Sequence, residues 1–171
     1  YVELRDELRA AGRTFRTESD TEVLLQLYDA YGAACVRKLN GIFAFLIYDR
    51  DRNVVLAARD HFGVKPLYWT RQGSTFAFAS ELRALRAVPG LELRIDGRAA
   101  SAMLRWSFVP HPATIYDGVH QLAPGGLLEV THAFSPSAVS TLYSVKVSIT
   151  NTSGAVIDDL RYTRTFDWDV D

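Results

Sequence analysis

Two hydrophobic periods divide this chain. Up to about residue 40 the apolar positions recur at helical spacing, and beyond it they alternate or run together as they do in strands. In "VELRDELRAA", residues 2–11, Val2, Leu4, Leu8 and Ala11 fall near one helical face, and Gly12 follows as a stop signal. The short "TFRT" reads as extended. Ser19 to Glu22 then has the S-x-x-E form of a capping box ahead of an apolar run. In that run Leu24, Leu27, Tyr28, Tyr31, Cys35 and Leu39 share a helical face that Asn40-Gly41 closes.

The near-continuous apolar run "GIFAFLIYD" predicts a buried strand, "DRDRN" a polar turn and "VVLAARD" a second strand. "HFGVKP" predicts a loop, bent at Gly63 and extended at Lys65 ahead of Pro66. "LYWTRQGSTFAFASE" predicts a hairpin about Gln72-Gly73-Ser74, and "SELRALRAV" a helix stopped by Pro89-Gly90. "DGRAASAMLRWSF" predicts another short helix, with Asp96 as its cap, and a Pro- and Gly-punctuated stretch leads to a short strand ending near Val130. A helix, several antiparallel strands and a helix again predict α+β layers, without βαβ crossovers.

After Val130 the texture changes. Residues 131–171 hold twelve Ser/Thr in 41 positions, against eleven in the preceding 130, and alternation becomes strict. Tyr143, Val145, Val147 and Ile149 share one face, and Leu160, Tyr162, Phe166, Trp168 and Val170 another. Two half-buried strands around "NTSGAVIDD" predict a long-looped β-hairpin. Two strands alone are marginal in water, so residues 131–171 read as a β-rich segment of different origin, a fragment of another domain.

Composition narrows the possibilities for function. Net charge is −1 with scattered basic residues, so no nucleic-acid stripe or membrane-binding face is expected, and the apolar runs are too short to cross a bilayer. A single cysteine, Cys35, excludes an internal disulfide framework and a cysteine-rich metal centre. Lying among Ala33, Ala34 and Val36, it reads as a small buried hydrophobe rather than a nucleophile. His61, His111, His120 and His132 lack metal-ligand spacing. Asp167, Asp169 and Asp171 line one strand face, which is more simply a solvated face than a cation site, and "NTS" at Asn151 matches a glycosylation acceptor. Asp20 is open to two roles, helix cap and ligand. Local sequence favours the cap, because S-x-x-E before an apolar run is a common helix start.

The order of motifs is more specific. "YVELRDELRAAG", "FRTESDTEVLLQLYDAYG", "CVRKLNGIFAFLIYDRDRNVVLAARDHFGVKPLYW" and "FAFASELRAL" follow one another as they do in the glutaminase domain of glutamine-dependent asparagine synthetases, which residues 1–130 resemble. These are class II glutamine amidotransferases of the N-terminal-nucleophile type. "FGVKPLYW" followed by "FASE" favours that family over other amidotransferases of the class, and "SFVPHPATIYDGVHQLAPGGLLEV" is similar to its passage towards the synthetase domain. The resemblance implies an αββα sandwich of two antiparallel sheets, here incomplete. It also implies glutamine hydrolysis by an N-terminal cysteine whose own amine activates the thiol, and an oxyanion site made of backbone and amide donors.

In the family that cysteine, the arginine that grips the substrate carboxylate and the Asn-Gly oxyanion motif precede the part aligned with Tyr1. No catalytic residue is therefore assigned here, and these residues are expected to be inactive alone. The acidic residue of the family's S-D-T-E motif helps bind the α-amino group of glutamine, which puts that role on Asp20 and leaves the cap to Ser19. Glutamine and the synthetase domain are the expected partners, a homodimer is compatible, and a cytoplasmic location is implied. No cofactor or metal is expected in these residues, with ATP and magnesium belonging to the synthetase domain. The competing reading is non-enzymatic: a β-rich surface or interaction module, loosely similar to bacterial surface-protein modules, fused to an amidotransferase remnant.

Overall fold

The structure is a computed structural model, and it describes residues 1–73, 75–136 and 143–151. The chain divides into two compact units, Tyr1–Gly41 and a second that begins at Ile42.

The first unit is helical. α1 (Val2–Ala10) and α2 (Asp20–Tyr31) are followed by a 3₁₀ segment, Gly32–Lys38. The sequence predicts one helical face as far as Leu39. The α-helix instead ends at Gly32, whose φ of +56° lies in a region that L side chains seldom adopt, and the tighter 3₁₀ winding then brings Cys35 inward. Leu8, Val23, Leu27 and Cys35 form the buried cluster, with Leu4, Phe15, Tyr28, Val36 and Leu39 packed around it. Val23 takes the fully buried place that periodicity gives to Leu24.

The second unit contains two antiparallel sheets. β1 (Ala44–Asp49), β2 (Val54–Arg59), β6 (Leu127–Pro136) and β7 (Tyr143–Asn151) form one, in the order β1-β2-β6-β7. β3 (Tyr68–Gln72), β4 (Thr75–Ala79) and β5 (Val119–Gln121) form the other, in the order β4-β3-β5. Side chains of period-2 strands project from both faces, and here one face of each sheet meets the other sheet. Ala57, Leu128 and Val130 from the first sheet cluster with Leu67 and Leu122, and Trp69, Phe76 and Phe78 from the second pack against them. The opposite face of the second sheet, with Ala77 and Val119, is covered by Leu85 and by Leu82, Val88, Leu91 and Leu93. The molecule is thus α+β with two antiparallel sheets, as the sequence leads one to expect.

Several elements depart from expectation. β1 is half exposed, because only one of its faces is covered: Ile47 is buried, while Leu46 and Tyr48 on the alternate face are exposed. The helix expected over "SELRALRAV" shrinks to one turn, α3 (Leu82–Leu85). It tightens at once into i→i+3 bonds from Ala87 to Ala84 and from Val88 to Leu85. α4 (Gly97–Trp106) forms as expected, with the Asp96 carboxylate accepting from the amides of Arg98 and Ala99.

β6 runs unbroken through Val130, and its antiparallel partner is β7. The strand at Tyr143–Asn151 therefore joins the sheet of β1 and β2. The other strand expected for the C-terminal hairpin, around Leu160 to Val170, lies outside the described residues, as do Asp167, Asp169 and Asp171.

Candidate functional site

The Asp20 site is built where two helices of the first unit meet an extended passage. Ser19 is the N-cap of α2, and its hydroxyl accepts from the Thr21 amide at 3.1 Å. Asp20, the first helical residue, is exposed, and its Oδ1 accepts from the same amide at 2.8 Å and lies 3.4 Å from the hydroxyls of Ser19 and Thr21. Oδ2 has no protein partner among the described residues. One oxygen of the carboxylate is committed to the helix start and the other is open. The helix start is thus shared by the Ser19 hydroxyl and Asp20 Oδ1, which both accept from the Thr21 amide.

Glu22 departs from the capping-box expectation. It does not return to the Ser19 amide but accepts from the amides of Arg16 (2.8 Å) and Thr17 (2.7 Å) and from the Thr17 hydroxyl (2.5 Å). The Thr17 hydroxyl and those two amides hold its carboxyl below the usual range. The Thr17 oxygen in turn accepts from the Ser19 amide at 3.2 Å, so Glu22 reaches the cap through Thr17.

Behind the cap lies a residue that the sequence does not single out. Arg5, on α1, is only 4% exposed. Its guanidinium pairs with Glu18, donates to the Ser19 carbonyl at 3.1 Å, and sits 5.4 and 5.6 Å from the ring centroids of Tyr1 and Phe15. The only advance signal is an arginine one residue after Leu4 on the helix that carries Leu8, and spacing alone does not separate it from Arg9.

Cys35 is fully buried, and burial pushes its thiol pKa up, the reverse of what a nucleophile needs. Among the described residues no three His, Cys, Asp or Glu side chains gather as metal ligands. No helix among them is long and apolar enough to cross a membrane.

In the second unit the loop after β2 is rigidly braced. Asp60 is fully buried and its carboxylate accepts from the amides of Phe62, Val64 and Lys65 at 3.0–3.1 Å. Burial opposes its charge, yet the amides of Val64, Lys65 and Phe62 outweigh that and hold its pKa down. Arg59 donates to the carbonyls of Lys65 (2.7 Å), Leu122 (2.5 Å) and Gly63 (2.5 Å). Gly63 is required here: its φ is +63°, and a Cβ would come within 2.8 Å of the Pro124 side chain and 3.0 Å of the Arg59 guanidinium. The loop carries Phe62 outward at 88% exposure. An open polar depression of about 500 Å³ is lined by Gln72, Glu92, Arg94 and Asp117. The Gln72 amide is spent on the Glu92 backbone at 2.6 and 2.8 Å, which leaves it unavailable to a ligand.

Comparison with known proteins supplies the context for these sites. A family described as a glutamine amidotransferase domain matches residues 1–139. Glutamine-hydrolyzing asparagine synthetase 1 of Bacillus subtilis is 44% identical over 125 residues, which cover 73% of this chain and 20% of that protein. Asparagine synthetase 3 of the same organism is 43% identical over 127 residues, covering 74% and 21%. A putative asparagine synthetase of Mycobacterium tuberculosis is 37% identical over 129 residues, covering 73% and 20%. The chain spans about a fifth of the length of these curated relatives.

Proposed function

The chain belongs to the glutamine amidotransferase domain family, and on that premise we propose that it is the glutaminase part of an asparagine synthetase. In this reading the domain holds glutamine for hydrolysis, and the ammonia released feeds an ATP-dependent amidation of aspartate in a synthetase domain of the kind the relatives are named for. The observation that carries the reading is the divided Asp20 carboxylate. Oδ1 accepts from the Thr21 amide at 2.8 Å, and Oδ2 of this exposed residue has no protein partner among the described residues. The exposed amides and dipole of a helix N-terminus favour negative charge at that position. The open oxygen then offers the α-ammonium of glutamine a charge-assisted bond.

The single cysteine of these residues, Cys35, is buried and is not the attacking thiol in this reading. These residues supply the ammonium grip and the scaffold. Residues from about 131 onward belong, on their change in composition, to a segment of different origin.

The test is a nuclear magnetic resonance titration of the chain with L-glutamine and, separately, with glutaramate, which lacks the α-amino group. The reading expects saturable shifts of the Asp20 and Thr21 amides with glutamine and much weaker ones with glutaramate. Equal responses to the two compounds would remove Asp20 from the substrate.

A further inference from the structure

The Arg5 guanidinium is the buried charged group of the first unit that the glutamine reading leaves without a task. It is 4% exposed, its two terminal nitrogens are engaged by Glu18 and the Ser19 carbonyl, and its Nε is buried with no partner among the described residues. A buried donor left idle costs stability. An arginine kept only to hold two helices together would be better replaced by an apolar side chain of similar volume. What distinguishes this one is the atom it holds. The Ser19 carbonyl and the Asp20 nitrogen belong to one peptide plane, so the 3.1 Å bond from Arg5 sets the orientation of the plane from which Asp20 springs. The helix itself grips that carbonyl weakly, for the Val23 amide is 3.5 Å away.

We propose that Arg5 is a positioning residue for the Asp20 carboxylate: by fixing the Ser19–Asp20 peptide it keeps Oδ1 on the Thr21 amide and Oδ2 turned to the substrate ammonium. The inference rests on the reading of Asp20 as the ammonium acceptor. Charge is consistent with it. An unpaired guanidinium behind an ammonium site would repel the substrate. Here Glu18 pairs with Arg5 and Asp6 lies 3.8 Å from Arg9, so two carboxylates balance the two guanidiniums. The geometry of the fork also matters. A guanidinium can serve Glu18 and Ser19 together while lying between the Tyr1 and Phe15 rings, whereas a lysine ammonium is a point donor on a flexible stem.

The experiment measures the affinity ratio of L-glutamine to glutaramate for the wild-type chain, Asp20→Asn, Arg5→Gln and Arg5→Lys, at a temperature where each is folded. It also follows hydrogen exchange of the Thr21 amide, which needs no ligand. The wild type is expected to prefer glutamine. Arg5→Gln is expected to lose that preference by on the order of tenfold, as expected for a displaced charge-assisted bond. Arg5→Lys should recover it only in part. Thr21 exchange should rise selectively in both Arg5 variants relative to amides in the middle of α2. A purely structural arginine would instead lower the melting temperature, speed exchange along the whole helix and leave the ratio unchanged, and that result overturns the proposal. If Asp20→Asn abolishes the preference while both Arg5 variants keep it, the Arg5 inference alone fails. A wild type without preference brings down the Asp20 reading and this inference together.

Discussion

Glu22 closes on the amide of Thr17 at 2.7 Å, five residues back along the chain, instead of on the cap of its own helix. With the Arg16 amide at 2.8 Å and the Thr17 hydroxyl at 2.5 Å, one half-buried carboxylate fixes the turn that delivers Ser19 and Asp20. Its pKa is lowered in the folded state, chiefly by the Thr17 hydroxyl and the Arg16 amide. A carboxyl with a depressed folded pKa contributes stability that is present above its unfolded value and lost as pH falls through the folded one. Glu22→Gln should therefore melt below the wild type at pH 7, and the gap should close as the pH drops below the ordinary carboxylate range. Thermal melts between pH 7 and pH 3 check this, and a gap that persists undiminished in acid would argue against the assignment.

Arg59 donates to three carbonyls, those of Gly63, Lys65 and Leu122, and Arg59→Met leaves all three without that donor. Hydrogen bonds from charged groups contribute roughly 1.5–3 kcal/mol each, so a loss on the order of 3 kcal/mol or more is expected. Chemical denaturation measures it. Hydrogen exchange should place the loosening in residues 61–66.

Leu27 is fully buried beside Leu8, Val23 and Cys35. Leu27→Ala should cost about 2–5 kcal/mol in the first unit through the cavity it leaves. For the same reason Cys35 should resist thiol reagents in the native state and react once urea unfolds the chain. Rapid native labelling would contradict the burial.

Leu46 and Tyr48 of β1 are 42% and 55% exposed, Ile42 just before it is 62% exposed, and β1 is an edge strand among the described residues. Apolar edges of this kind template association. The chain should associate with rising concentration, and a double substitution Leu46→Lys, Tyr48→Lys should suppress this without loss of secondary structure. Light scattering across a concentration series reads the effect, and identical scattering for the two proteins would dismiss the edge as its source.

What the sequence reveals and what it hides follow from the physics of each position. The strands were readable because alternation and turn residues are local signals: "LYWTRQGSTFAFASE" paired as β3 and β4, with Trp69 opposite Phe78. The Asp96 cap was readable too, since capping depends on residues only two or three positions away. The break at Gly32 was masked by apolar residues that keep helical spacing across it. The exposure of β1 depends on which face of its sheet is covered, which no local pattern records. Around Asp20, the S-x-x-E pattern locally favours Asp20 as the cap, whereas the N-cap is Ser19, as the family resemblance implies. The reach of Glu22 to Arg16 and Thr17 was hidden by the fold of the passage before the helix. Arg5 was harder still: its guanidinium meets Glu18, the Ser19 carbonyl and the Phe15 ring, all beyond its own helix, and in sequence it is one charge among several on an amphipathic helix.

The most direct measurement is glutamine affinity and melting temperature together for Asp20→Asn. Asparagine keeps an oxygen for the Thr21 amide and Ser19 remains the cap, so only the charge offered to the substrate is removed. The expected result is a loss of affinity on the order of tenfold or more with melting held within about 2 °C. Unchanged affinity with a lowered melting temperature would make Asp20 a helix-start residue and nothing more.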